Sequence, residues 1–224
     1  MDSSVTLGGA SFSTLDNTAL RANQVEYVWV PKSSYEDCKI TGYENLNGVW
    51  AKQEGSGRNV TYTVPTGDAA ILKAGTGIQL VVNGTGKALN LSGEVSDAQI
   101  VLTTVNNFNF IGYPFPTDGS VLDVQMDETV TLGGASFSTL DNTALRANIV
   151  EYVWIPESSY ADCKVTGREG DNGVWAKQEG SGRNVTYTVP TGDAAILKAG
   201  SAIQLVVNGT GKKVYINPTY TLSK

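Results

Sequence analysis

Histidine is absent from the 224 residues, and that single absence removes a large part of enzyme chemistry. Without imidazole there is no Ser-His-Asp or Cys-His nucleophile pair, no His-ligated zinc and no imidazole general base. Cysteine is limited to Cys38 and Cys163. Basic residues are too few, 16 Lys and Arg against 22 Asp and Glu, for a binder of phosphate backbones, which needs a clustered excess of positive charge. No nucleic acid is therefore expected as a partner. No apolar run approaches the ~18 residues of a membrane-spanning helix, so no membrane insertion is expected. The start, Met1-Asp2-Ser3-Ser4, has neither the basic nor the apolar region of a secretory leader.

What is present is a 41% hydrophobic fraction, enough for a packed core and too much for a disordered chain. Gly, Ser, Thr and Asn are abundant while Lys and Glu are sparse, the composition of secreted β-proteins. The expected location is extracellular or at the cell surface, with a leader removed.

The chain repeats itself. Val5 to Lys87 recurs as Val130 to Lys212 without a gap, a shift of 130 − 5 = 125, and about ten of the roughly 83 aligned positions differ. Identity this high marks a recent duplication or sequence homogenisation, so the differences inform more than the identities. Val30/Ile155 and Ile40/Val165 are core-like exchanges. Lys32/Glu157, Glu36/Ala161, Tyr43/Arg168 and Leu46/Asp171 change charge or polarity and belong on surface or loop.

Within each copy the local signals are for strands. Val25 to Val30 is β-branched and aromatic and stops at Pro31; Asn59 to Val64 alternates and stops at Pro65. Ile78 to Val82 runs into Asn83-Gly84 and apolar alternation resumes at Leu89 and Leu91, which predicts a hairpin with an Asn-Gly turn. Ser11 to Asn23 is the one stretch that could hold a short helix, with Ser13 or Asp16 as its cap. The connector between the copies has strand-like runs at 99–105 and 107–116 and is too apolar for a flexible linker.

Trp29-Val30-Pro31, Ser33-Ser34-Tyr35, Gly48-Val49-Trp50, Lys73 to Gly77, Leu89 to Val95 and Phe108 to Pro116, in that order, resemble an all-β module repeated in uncharacterised bacterial secreted and surface proteins. In those proteins the phrase resembling Phe108 to Pro116 tends to open a module and the one resembling Leu89 to Val95 tends to close it. The resemblance implies an extracellular, non-enzymatic setting and brings no catalytic residue with it. On that phasing copy two is complete from about 106 to 218, while copy one begins at the equivalent of Met126 and is short of its opening strands. The segment 213–224, with alternating Val214, Ile216, Tyr220 and Leu222, is then a spare strand, and the incomplete edge of copy one an acceptor for strand addition. The arm 2–8 is a second donor candidate.

Other residues carry alternative readings. Cys38 and Cys163 sit at equivalent positions, one per copy, as buried free thiols, an inter-module bridge or an intersubunit crosslink. Tyr27 and Trp29 share one sheet face, as do Tyr152 and Trp154, and with Trp50 and Trp175 they form either core or an exposed platform for stacking on sugar rings. Asn59, Asn83, Asn90, Asn184 and Asn208 open glycosylation-type triplets. Asp118, Asp123, Asp127 and Glu128 could supply oxygen ligands to calcium but lack the spacing of known calcium loops. Lys52 and Arg58 flank Glu54-Gly55-Ser56-Gly57, which meets no phosphate-loop spacing. The one catalytic option left is a carboxylate pair, and the few acids inside the repeats fall in turn contexts.

The sequence therefore predicts an all-β fold of two tandem antiparallel β-sandwich-like modules with a structured β connector. The first module spans residues 1–99 and the second 100–224, including connector strands at 100–116. The expected function is that of a non-enzymatic structural subunit of an extracellular filament, sheath or surface layer, self-assembling head-to-tail. It needs no cofactor and no metal, and its partners are copies of itself. A carbohydrate-binding adhesion module recognising surface glycans is the alternative, and a virion or appendage protein a third reading.

Overall fold

The computed structural model describes residues 1–2, 4–15, 25–140 and 150–222. The fold is all-β, and its sheets are antiparallel. The chain gathers into two compact units. The first contains Met1–Leu15, Asn23–Lys73 and Ile78–Glu94; the second contains Ala74–Gly77 and Val95–Lys224.

The first unit is built on one five-stranded sheet. Its strands are β1 (Ala10–Leu15), β2 (Val25–Pro31), β3 (Gly48–Glu54), β4 (Thr61–Thr63) and β5 (Gly77–Val82), in the spatial order β4-β3-β2-β1-β5. β2 is the β-branched and aromatic run, and it ends where Pro31 withdraws a backbone donor. The register pairs Trp29 with Trp50 and Val30 with Val49. Gly48 is required here, because a Cβ would overlap the indole of Trp29. Beneath one sheet face Val30, Tyr35, Cys38, Ile40, Val49 and Ala51 form a small core.

The second unit repeats this sheet with one strand more. Its strands in chain order are β6 (Ile100–Thr103), β7 (Asn107–Gly112), β8 (Gly119–Ser120), β9 (Val124–Met126), β10 (Ala135–Leu140), β11 (Val150–Pro156), β12 (Gly173–Glu179), β13 (Thr186–Thr188), β14 (Ile196–Leu197), β15 (Ala202–Val207) and β16 (Lys213–Ile216). The main sheet runs β13-β12-β11-β10-β15-β7, so β7 lies beyond β15 where the first unit's sheet ends at β5. A three-stranded sheet β6-β16-β9 and the pair β14-β8 complete the unit. The turn entering β7 is held by Asn109, fully buried. Its amide donates to the carbonyls of Val105 and Asn107 while its oxygen accepts from the Val105 N–H at 2.9 Å. Asn107 takes a positive φ of 74°, which its short polar side chain tolerates.

Ala74–Gly77 packs in this second unit, where Thr76 bridges Ile111 and the Gly112 N–H donates to the Gly75 carbonyl at 3.0 Å. Thr76 and Gly77 are replaced by Ser201 and Ala202 in copy two. A Cβ at Gly77 would come within 3.2 Å of the Phe110 Cβ, tighter than ordinary packing.

Two local expectations are corrected. Asn83-Gly84 and Asn208-Gly209 do not close two-residue hairpins. β15 pairs with β10 and β7, whereas β16 pairs with β6 and β9, so this loop hands the chain from one sheet to the other. Gly209 and Gly211 both adopt positive φ, and the Gly211 N–H and Lys212 carbonyl bond the backbone of Thr104, which turns the loop outward. Of the stretch Ser11 to Asn23 read as able to hold a helix, 11–15 belong to the strand Ala10–Leu15, and 16–23 lie outside the described residues. β1 pairs with β2 on one side, and this tertiary partner overrides a weak helix signal. Ser13 lies in that strand; Asp16 lies outside the described residues.

Candidate functional site

The two units present nearly the same residues in different surroundings. In the second unit the connector segment joins the main sheet as its edge strand β7 and then, over 113–126, packs on one face of it. It buries Ile111, Tyr113, Phe115, Val121, Val124 and Met126 against Phe137, Trp154, Trp175, Leu197, Ile203 and Leu205 in one continuous core. Several polar contacts fix the segment. The Trp175 indole N–H donates to the Val124 carbonyl at 2.7 Å, and the Leu122 N–H donates to Ser120 Oγ at 3.1 Å to start the short turn before β9. Tyr113 stacks edge-on to Phe115 at 5.3 Å, and Phe115 edge-on to Tyr220 at 5.9 Å. Burial, with help from the nearby Asp123 carboxylate, pushes the Tyr113 phenol up to about 12, so it stays neutral. β8 pairs with β14, beside an exposed ion pair of 2.7 Å between Lys198 and Asp118. The Asp118 carboxyl is held below the usual carboxylate range first by the hydrogen bond from Lys198 and then by the Ala199 N–H.

The first unit has the matching sheet without such a segment among its described residues. Leu72 is 45% exposed, whereas its equivalent Leu197 is fully buried. Leu91 is 65% exposed and its equivalent Ile216 fully buried. Ile71 is exposed too, and Trp50, Ile78, Leu80 and Val82 are half-buried where Trp175, Ile203, Leu205 and Val207 are closed off entirely. The opposite face shows no such difference: Cys38 and Cys163, Tyr35 and Tyr160, and Val30 and Ile155 are all buried. The contrast is greatest at residues whose counterparts pack in the closed core with 113–126 in the second unit. Large apolar side chains left exposed where their counterparts are core are the kind of surface that marks an interaction site.

This contrast corrects the donor-strand expectation for 213–224. Val214 and Ile216 are fully buried in β16, which is paired on both sides, by β6 and by β9. Tyr220 is half-buried against Phe115, and its hydroxyl donates to the Ser96 carbonyl at 2.7 Å. The Leu222 N–H donates to Asp97 at 2.8 Å, with the side chain left exposed. A strand with both edges paired and its apolar face in its own core has nothing left to donate. The arm 2–8 is likewise engaged: the Asp2 N–H donates to the Ala88 carbonyl at 2.9 Å and Val5 is buried.

The sugar-stacking platform is corrected as well. Tyr27, Trp29, Tyr152, Trp154 and Trp175 are buried and Trp50 is half-buried, because these rings pack on one another and on Phe12 or Phe137. Trp154 and Trp175 meet at 5.1 Å nearly edge to face. Ring faces used this way are closed to a pyranose. The Tyr152 hydroxyl donates to the Ala194 carbonyl at 2.9 Å, and that of Tyr27 to Ala69 at a longer 3.4 Å.

Cys38 and Cys163 are free, buried thiols. Burial raises both, and the adjacent Asp37 and Asp162 carboxylates add to the shift, so neither is a ready thiolate for a crosslink. Asp118, Asp123, Asp127 and Glu128 are not brought together as a ligand set. Asp118 binds Lys198, Asp127 caps Thr129, and no group of three His, Cys, Asp or Glu able to hold a metal forms among the described residues. A depression lined by Asp127, Glu128, Thr129, Asn172, Lys213 and Tyr215 is open and polar. Lys52 pairs with Glu54 at 2.7 Å on the surface, followed by a short 3-10 turn at Gly57–Asn59. Asn59, Asn83, Asn90, Asn184 and Asn208 are all exposed.

No family model, curated protein or solved structure matches the chain. The site is therefore read from its own geometry. Ile71 and Leu72, the most informative residues of the bared face, carried no signal in the sequence because the copies are identical there. The strand phasing read from the sequence named an edge of copy one as an acceptor, not this face.

Proposed function

We propose that the chain is a non-enzymatic structural subunit of an extracellular filament, sheath or surface layer whose modules join by addition of an extended segment to an incomplete unit. One observation carries this reading: the face that is closed by 113–126 in the second unit is bare in the first, although the sheet residues beneath are the same. Apolar burial of about 25 cal/mol per Å² then favours any neighbour that supplies the missing layer. Repetition supports the reading, since each added module presents the same sheet again. Head-to-tail contacts of this kind generate open fibres unless their rotation closes a ring.

Electron microscopy in negative stain, with light scattering over a concentration series, tests the proposal. Growth of ordered filaments or sheets with concentration is the expected result. A monodisperse monomer at every concentration would overturn it.

A further inference from the structure

Resting on that reading, we infer that the bared face of the first unit is a socket for an extended segment of another module with the chemistry of residues 107–125. The occupant is defined by what fills the equivalent place. In the second unit this segment runs along β15 with Ile203 opposite Ile111 and Val207 opposite Asn107. It then returns as β9, placing Val124 opposite Ile216. Shifting by the repeat length puts Ile78 opposite Ile111, Val82 opposite Asn107 and Leu91 opposite Val124.

The lining is conserved between the two places. Phe137, Trp154, Trp175, Leu197, Ile203 and Leu205 of the filled socket correspond to Phe12, Trp29, Trp50, Leu72, Ile78 and Leu80, identical at every position. At the far rim Val214 and Ile216 correspond to Leu89 and Leu91, apolar for apolar. The segment's length is bounded at its C-terminal side. Met1 is equivalent to Met126, and the Asp2 N–H bonds the Ala88 carbonyl at 2.9 Å as the Asp127 N–H bonds Lys213 at 2.9 Å. Met1 packs against the cluster of Val5, Ala10 and Trp29. The place of Met126 is thus already taken, and the occupant ends at the equivalent of Gln125.

Among the described residues there are two such sockets and one such segment, and that segment is seated in its own unit. The occupant is a segment of the same kind supplied by another module. In it, apolar side chains matching Ile111, Tyr113, Phe115, Val121 and Val124 point to one side, and a small residue stands at Gly119, where a Cβ would overlap the Tyr113 hydroxyl.

The test is a fluorescence-anisotropy titration of the full chain into a labelled synthetic peptide of the 107–125 sequence. The covalently tethered segment of the second unit competes at an effective concentration far above that of added peptide, so the free site is the first unit. Saturable binding of one peptide per chain is expected. It should weaken at least about tenfold with Leu72→Asp or Leu91→Asp in the protein. Both residues are exposed, so these variants keep their fold. Substituting Tyr113→Asp in the peptide, which leaves the protein untouched, should weaken binding to the same degree. Absence of saturable binding, equal binding of a scrambled peptide, or binding indifferent to Leu72→Asp and Leu91→Asp overturns the inference. Peptide binding by a chain that never assembles upholds the socket and removes the structural-subunit reading. Assembly without peptide binding does the reverse.

Discussion

The indole N–H of Trp175 donates to the carbonyl of Val124 at 2.7 Å in the closed core of the second unit. It joins the main sheet to the segment laid over it, and the equivalent tryptophan of the first unit, Trp50, is only half-buried. Replacing Trp175→Phe removes the donor and leaves a buried carbonyl unpaired, which should destabilise the second unit by about 2–4 kcal/mol. Trp50→Phe should cost clearly less. Urea denaturation of the two variants, followed by circular dichroism, checks the difference; equal losses would contradict the asymmetry.

Leucine truncations make the same comparison without a polar group. Leu197→Ala should cost about 2–5 kcal/mol, because it opens a cavity in a closed core. Leu72→Ala, at the identical position of the other copy, should change stability by no more than about 0.5 kcal/mol. The same denaturation measurement decides it.

Gly119 faces the Tyr113 hydroxyl, which occupies the space a Cβ would need. Gly119→Ala should destabilise the second unit by about 1–3 kcal/mol through overpacking. The double change Gly119→Ala with Tyr113→Phe should recover part of the loss, which a double-mutant cycle of melting temperatures would register.

Asp123 gives a pH signature. Burial raises its carboxyl above the ordinary 3.8, against the opposing pull of the Ser120 backbone N–H and the charge of Arg168. A carboxyl raised in the folded state binds more protons there than in the unfolded chain between the two pKa values. Its contribution is thus fully present below 3.8 and is lost as pH rises through the folded value. Asp123→Asn, which keeps the acceptor oxygen, should raise the melting temperature at pH 7, and the gain should vanish in acid. Asp127, held low first by the Thr129 N–H, works in the other sense: its stabilisation is present at neutral pH and lost as pH falls through its folded value. Melting curves from pH 3 to 8 for wild type and Asp123→Asn separate the two.

The thiols offer a check on crosslinking. Buried and raised in pKa, Cys38 and Cys163 should react with a thiol reagent at pH 7.5 about tenfold or more slowly in the native protein than in urea. Non-reducing electrophoresis should show no disulfide-linked dimer.

The strand runs at Val25–Val30 and Ile78–Val82 were legible because β-branched and aromatic alternation, ended by Pro31 or Asn-Gly, admits few other conformations. The core-like exchange Val30/Ile155 and the surface exchange Leu46/Asp171 were legible too, since burial restricts the one and not the other. The Asn-Gly turn was misread because its sequence fixes a chain reversal but not which strand lies beside it. In copy two β16 finds β6 and β9, both from the connector. Val214 and Ile216 looked spare for the same reason: a two-residue alternation states which side chains face together, and nothing about what covers them.

The sequence by itself determined that the chain is built from strands, that it repeats a unit, and that it carries no imidazole chemistry. These follow from local preference and from counting. The tertiary structure decided that Leu197 is core and Leu72 is surface. The residues are identical, but Leu197 lies in a strand paired with one from the connector, whereas Leu72 lies outside any strand and has no such cover among the described residues. Burial is a property of that neighbour, and no local pattern contains it.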